Sequence, residues 1–182
     1  MKKGEKRKNQ IVQDISIYIL ENGVQTATLR NLAEAASTSD RMLMHYFRDK
    51  EELLTVALNS ITDEFITILD SARTEQKNFV DLLPYLREMM KHPGIKPYIK
   101  LCLELAAIAA KKEEPFYSVG NQMCATFLDC ITREIKVDSE EERDELSALT
   151  LVMIEGFVFL DALDYHEQID KSIKGIGRLI KG

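Results

Sequence analysis

Apolar residues recur at helical spacing along almost the whole chain, and no convincing window alternates with period two. Ile11, Val12, Ile15, Tyr18 and Ile19 share one helical face. Leu53, Leu54, Ala57, Leu58, Ile61, Phe65 and Ile68 do the same further on. Breaks are sparse: 8 Gly and 4 Pro in 182 residues leave too few turns for an all-β fold and argue against disorder. A chain of this length buries a core without disulfides or metals. The predicted fold class is all-α, with about nine or ten helices.

The breaks and caps place those helices. The first runs from about Glu5 to Asn22 and stops at Gly23. Thr28 caps a short helix over Leu29–Ala36. Ser37, Thr38 and Ser39 form a turn, and Ser39 caps a third helix over Asp40–Tyr46. Asp49 with Glu52 fits a capping box that opens a long fourth helix reaching about residue 72. Later helices are expected near Asn78–Lys91, Lys96–Lys112, Phe116–Ile135, Glu140–Leu163 and Gln168–Lys181. Ser139 and Glu142 make a second capping box. Two short helices joined by a tight turn have helix-turn-helix geometry. An ordinary α-hairpin inside a helical domain has the same periodicity.

Charge is uneven along the chain. The net charge is −6, but residues 1–50 hold nine Lys and Arg against six Asp and Glu, and the rest holds 15 against 24. A basic head on an acidic body suits a polyanion at the head, and a solvated basic tail fits equally. Chemistry is otherwise scarce. Cys102, Cys124 and Cys130 form no CxxC pair, and His45, His92 and His166 stand apart from one another. There is no P-loop and no G-x-S-x-G, and Gly175-Ile176-Gly177 does not complete a dinucleotide fingerprint. The expectation is no catalytic residue, no metal and no cofactor. The basic start MKKGEKRKNQ lacks an apolar core behind it, and no apolar run is long enough to span a bilayer, so a cytoplasmic protein is expected.

Residues 11–58 carry a more specific pattern. Ile11 and Ile15 precede Glu21-Asn22-Gly23. Thr28-Leu29-Arg30-Asn31-Leu32-Ala33-Glu34-Ala35-Ala36 reads as T-x-x-x-I-A-x-x-A, with Leu for Ile. His45-Tyr46-Phe47-Arg48-Asp49-Lys50-Glu51-Glu52-Leu53 follows a Y-x-x-F-x-x-K-E-x-L pattern that lacks its first Tyr. This stretch resembles the N-terminal domain of the TetR family of bacterial transcriptional regulators. Two positions depart from that pattern: Ser37 stands in a turn where the family favours Gly, and Met44 stands where it favours Tyr. A serine in the left-handed region costs about 1 kcal/mol, and a thioether cannot donate the hydrogen bond that the Tyr makes.

The resemblance implies a helix-turn-helix domain over 1–52, with helix four from about 50 as the link. It implies an effector-binding and dimerisation domain over 53–182. DNA contacts are then expected at Thr28, Ser39, Asp40, Arg41, Met42, His45, Tyr46 and Lys50. Thr28, His45, Tyr46 and Lys50 would meet phosphates. Arg41 would read guanine, and Met42 would touch a thymine methyl. Asp40 would serve the helix N-terminus more than a base. Lys2, Lys3, Lys6, Arg7 and Lys8 would add salt-sensitive affinity, reach the minor groove, or form a tail with no defined contact.

The implied partners are a palindromic double-stranded DNA operator, a small-molecule effector and a second copy of the chain. Ala148, Val152, Gly156, Phe159 and Leu163 form one stripe expected at the dimer interface. Met89, Met90, Cys102, Leu105, Met123, Cys124 and Phe127 are expected to line an effector pocket, although each also fits plain core. The most frequent role in the family is repression relieved by the effector. Two other readings remain open at this stage: a helical interaction module with a degenerate head, and a DNA-binding protein that needs no ligand.

Overall fold

The computed structural model describes residues 3–72 and 75–180. Nine α-helices occur among the described residues: α1 (Lys3–Asn22), α2 (Leu29–Ala35), α3 (Asp40–Tyr46), α4 (Lys50–Ala72), α5 (Phe79–Met90), α6 (Lys96–Ala109), α7 (Phe116–Glu134), α8 (Glu140–Asp161) and α9 (His166–Leu179). The boundaries follow the caps read from the sequence. Thr28 accepts from the Asn31 amide at 3.2 Å, Ser39 from Met42 at 3.3 Å and Ser139 from Glu142 at 3.2 Å. Asp49 accepts from the Glu52 amide at 2.8 Å, while Glu52 reaches back to the amide of Arg48 at 2.7 Å. The capping box therefore closes one residue earlier than the standard pattern. A 3-10 turn over Val24–Thr26 was not evident in the sequence. Lys2 and Lys181 lie outside the described residues.

The helices pack into two units. One takes the chain as far as Ile68 together with Lys100–Met123, and the other takes Leu69–Ile99 and the chain from Cys124 on. The division expected at residue 52 is thus not the division made by packing: α4 stays with the head as far as Ile68, and part of the body joins it.

In the first unit, Ile11, Ile15 and Ile19 of α1 are buried, as are Leu32 of α2, Leu43 of α3, and Leu53 and Leu58 of α4. Burying each such side chain contributes about 1.5–3 kcal/mol, which holds helices too short to persist alone. The buried Ser16 hydroxyl donates to the Ala57 carbonyl at 3.2 Å, joining α1 to α4.

In the second unit α5, α8 and α9 pack together around Leu82, Leu83, Phe157, Val158 and Ile169. Arg87, almost wholly buried on α5, bonds Asp161 at 2.5 Å and lies 3.6 Å from Asp170 on α9. Burial pushes the Asp161 carboxyl up, but its bonds to Arg87 and His166 outweigh that and hold it below the ordinary range. The loop before α5 is tied to the end of α7, with the Lys77 amide donating to Glu134 O and Lys136 N to Lys77 O, each at 2.8 Å.

Candidate nucleic-acid interface

The α2–α3 turn is closed by the backbone. Thr38 N donates to Ala33 O at 2.9 Å and Ser37 N to Glu34 O at 3.0 Å. This pair of bonds is a Schellman ending, which places its C′ residue in the left-handed region. Ser37 occupies that position with φ +47°, so the strain expected from the missing glycine is present. The Arg7 guanidinium ties this turn to α1, donating to Ala36 O at 3.1 Å and Ser37 O at 3.3 Å. These are carbonyls that the end of α2 leaves without helical donors.

That contact corrects the reading of the basic tail. From Lys3 on, the tail is the first part of α1, and two of its cations turn inward. Arg7 caps α2. Lys8 lies 4.7 Å over the Phe47 ring and 3.9 Å from Glu52. Lys6 is exposed and keeps its expected role open. No local periodicity signals Arg7, because its partners lie 29 and 30 residues away.

On α3 the inward and outward faces separate cleanly. Leu43 is 0% exposed and Phe47, at the helix's C-cap, 2%. Asp40, Arg41, Met42 and His45 are exposed, and Met44 and Tyr46 are half-buried. The His45 and Tyr46 rings meet edge to face at 5.2 Å. Thr28 is exposed at the start of α2, and its hydroxyl keeps its proton for a further acceptor while the oxygen caps Asn31. Lys50 is exposed at the start of α4. Arg48, which the sequence did not single out, bonds Asp49 at 2.8 Å. The Glu52 amide and then Arg48 hold the Asp49 carboxyl below its ordinary range.

The other expected residues lie elsewhere. Ala148, Val152, Gly156 and Phe159 are exposed on α8, Val152 at 69% and Phe159 at 58%, and Leu163 is exposed in the turn just past the helix, which ends at Asp161 rather than at Leu163 as expected. Leu149 joins them at 45%. A Cβ built on Gly156 meets nothing within 4 Å, so packing within its own chain does not require a glycine there. Desolvation raises the Glu155 carboxyl on this helix above the ordinary range. Burial, and then the charge of Glu155, raises the Cys124 thiol. Of the residues expected to line a pocket, Cys102, Leu105 and Met123 belong to the first unit and Met89, Met90, Cys124 and Phe127 to the second. Met90, Leu105 and Met123 are buried, Met89, Cys102 and Phe127 half-buried, and Cys124 exposed. Among the described residues no cluster of His, Cys, Asp and Glu is arranged to hold a metal, and no helix is long and apolar enough to cross a membrane.

Residues 18–57 match the family model described as bacterial regulatory proteins, tetR family. Over 60 residues the chain is 38% identical to the HTH-type transcriptional regulator PksA of Bacillus subtilis (strain 168), covering 33% of this chain and 29% of that one. Over 55 residues it is 40% identical to the HTH-type transcriptional regulator BetI of Proteus mirabilis (strain HI4320), covering 30% and 28%. The matched stretch thus spans less than a third of either curated relative.

Solved structures extend the likeness in fold to the whole chain. A TetR-family regulator from Cytophaga hutchinsonii aligns at TM-score 0.72 with 13% identity, over 100% of this chain and 96% of that one. A TetR-family protein from Rhodococcus sp. aligns at 0.70 with 18% identity, over 98% and 100%. Salmonella enterica GusR aligns at 0.65 with 16% identity, over 97% and 95%. With the helix-turn-helix built as described, residues 18–57 match the N-terminal domain of the tetR family of bacterial regulatory proteins, and the whole chain shares the fold of solved TetR-family structures.

Proposed function

We propose that the chain is a dimeric repressor that binds a palindromic DNA operator and is released when a small molecule binds its helical body. The observation that carries this reading is the outward face of α3, where Asp40, Arg41, Met42 and His45 are exposed while Leu43 is buried. A recognition helix presents its N-terminal residues to base edges in the major groove. Arg41 has the planar fork that pairs with guanine O6 and N7, and Met42 offers an apolar contact to thymine. Thr28 and Lys50 stand at helix N-termini, where free amides favour phosphate. His45 and Tyr46 extend the phosphate contacts.

Dimerisation follows from the reach of one short helix, which reads only a few base pairs. The exposed stripe of α8 supports it, since contiguous exposed apolar surface marks an interaction site. Two copies related by a two-fold axis would bring the same stripe together. In this reading the protein works in the cytoplasm, without a metal or cofactor.

Affinity selection of fragmented genomic DNA by the purified protein, at two salt concentrations, tests the proposal. Recovery of a palindromic site that survives the higher salt is the expected result. Recovery only of sequence-blind, salt-labile fragments would overturn it.

A further inference from the structure

Glu104, in α6, belongs to the same packing unit as the head. Its Oε2 accepts from the amide of Val24 at 2.9 Å, across 80 residues of sequence. That amide opens the 3-10 turn, where helical donors have no partner within the turn and anions are favoured. Gly23, just before it, takes φ +83° and ψ 157°, a region essentially confined to glycine. A Cβ on Gly23 would lie 2.6 Å from one Glu104 oxygen and 2.8 Å from the other. The glycine therefore supplies both the backbone angle and the space that the carboxylate fills.

From this corner, hydrogen bonds run to the start of α2. The Thr26 carbonyl accepts from Asn31 Nδ2 at 2.8 Å and from the Thr28 amide at 2.7 Å. Tyr18 Oη donates to Thr26 Oγ1 at 3.1 Å. Asn31 in turn donates its own amide to Thr28 Oγ1.

We propose that Glu104 is a positioning residue for DNA recognition. It latches α6 to the Gly23–Thr26 corner and through it fixes the end of α2 that carries Thr28. Glu104 itself touches no DNA. Its effect on affinity rests on the DNA-binding reading, but the latch does not.

The test compares the whole protein with Glu104→Ala and Glu104→Gln, first by amide hydrogen exchange without DNA. Alanine removes a charge-assisted acceptor, so exchange at the Val24 and Asn31 amides should accelerate by about ten-fold or more, while Leu58 in α4 stays unchanged. Glutamine keeps an acceptor oxygen and should restore most of the protection. The second arm measures affinity for a duplex selected by the wild-type protein. Alanine should weaken it by about ten-fold with an unchanged salt slope, because no phosphate contact is lost. Wild-type exchange at Val24 and Asn31 in the alanine variant would overturn the latch, and so would acceleration at all three amides alike. Undiminished affinity with accelerated exchange would overturn the positioning role. If the wild-type protein selects no duplex, the DNA-binding reading and the positioning role fail together, and exchange alone decides the latch. If the alanine variant does not fold, Glu104→Leu, which keeps the side chain's bulk but no acceptor, takes its place: it should show the same local acceleration, and wild-type exchange in it would overturn the latch.

Discussion

Helices α3 and α8 both turn a continuous face to solvent, and the two faces are chemically opposite. On α3 the outward residues are Asp40, Arg41, Met42 and His45. On α8 they include Leu149, Val152 and Phe159, with Gly156 and Glu155 among them and Leu163 just past the helix end. The first face costs little to leave in water and offers directed donors. The second leaves large apolar groups exposed and is stabilised only when something dry covers it. In the proposed function the two faces take different partners, a hydrated polyanion for α3 and a second apolar surface for α8.

The largest expected effect comes from spoiling the apolar face. Phe159→Glu places a charge where a partner helix would bury it, and should weaken the dimer by about 100-fold or more in sedimentation equilibrium. A variant that remains dimeric would put Phe159 outside the interface. Leu43→Ala tests the inward side of α3. It should cost about 2–5 kcal/mol in chemical denaturation, whereas Arg41→Ala on the outward side should leave that stability unchanged.

Arg41→Ala should instead lose about 1–3 kcal/mol of discrimination at one operator position, measured by competition between single-base variants of the selected site. Uniform weakening on every sequence would recast Arg41 as a phosphate contact. Ser37→Gly relieves the left-handed turn, worth about 1–2 kcal/mol, but gives back unfolded-state entropy of about 0.4–1 kcal/mol. A net gain of about 0.5 kcal/mol in unfolding free energy is expected, and a loss would mean that the left-handed serine costs less than the unfolded-state entropy that glycine gives back.

The smallest effect is on pH. The Glu155 carboxyl is raised by desolvation, and burial in a dimer would raise it further. The dimer then binds more protons than the monomer, so association should tighten as pH falls from neutral through the raised pKa. Glu155→Gln should abolish that dependence, and an unchanged pH profile would place Glu155 away from the interface.

Most of the helical framework was legible because its signals are local. Thr28, Ser39, Asp49 and Ser139 announce their helices within three residues, and α3 runs from Asp40 to Tyr46 as its cap and periodicity predict. The outward positions of α3 and α8 follow from the same periodicity. What escaped the sequence is non-local. Arg7 reaches Ala36 and Ser37, Glu104 reaches Val24, and Arg87 reaches Asp161 and Asp170. No repeat encodes such pairs, because tertiary packing alone brings them together. The residues expected to line one pocket divide between two packing units for the same reason. Apolar composition marks a residue as buried without saying against what.

The most direct test joins the two faces. Stoichiometry and affinity should be measured on one selected palindrome, for the wild-type protein and for Phe159→Glu. The account predicts two chains per duplex for the wild type, and for the variant only weak, strongly salt-dependent binding by a folded monomer. Tight specific binding by a single chain, undiminished in the variant, would contradict it.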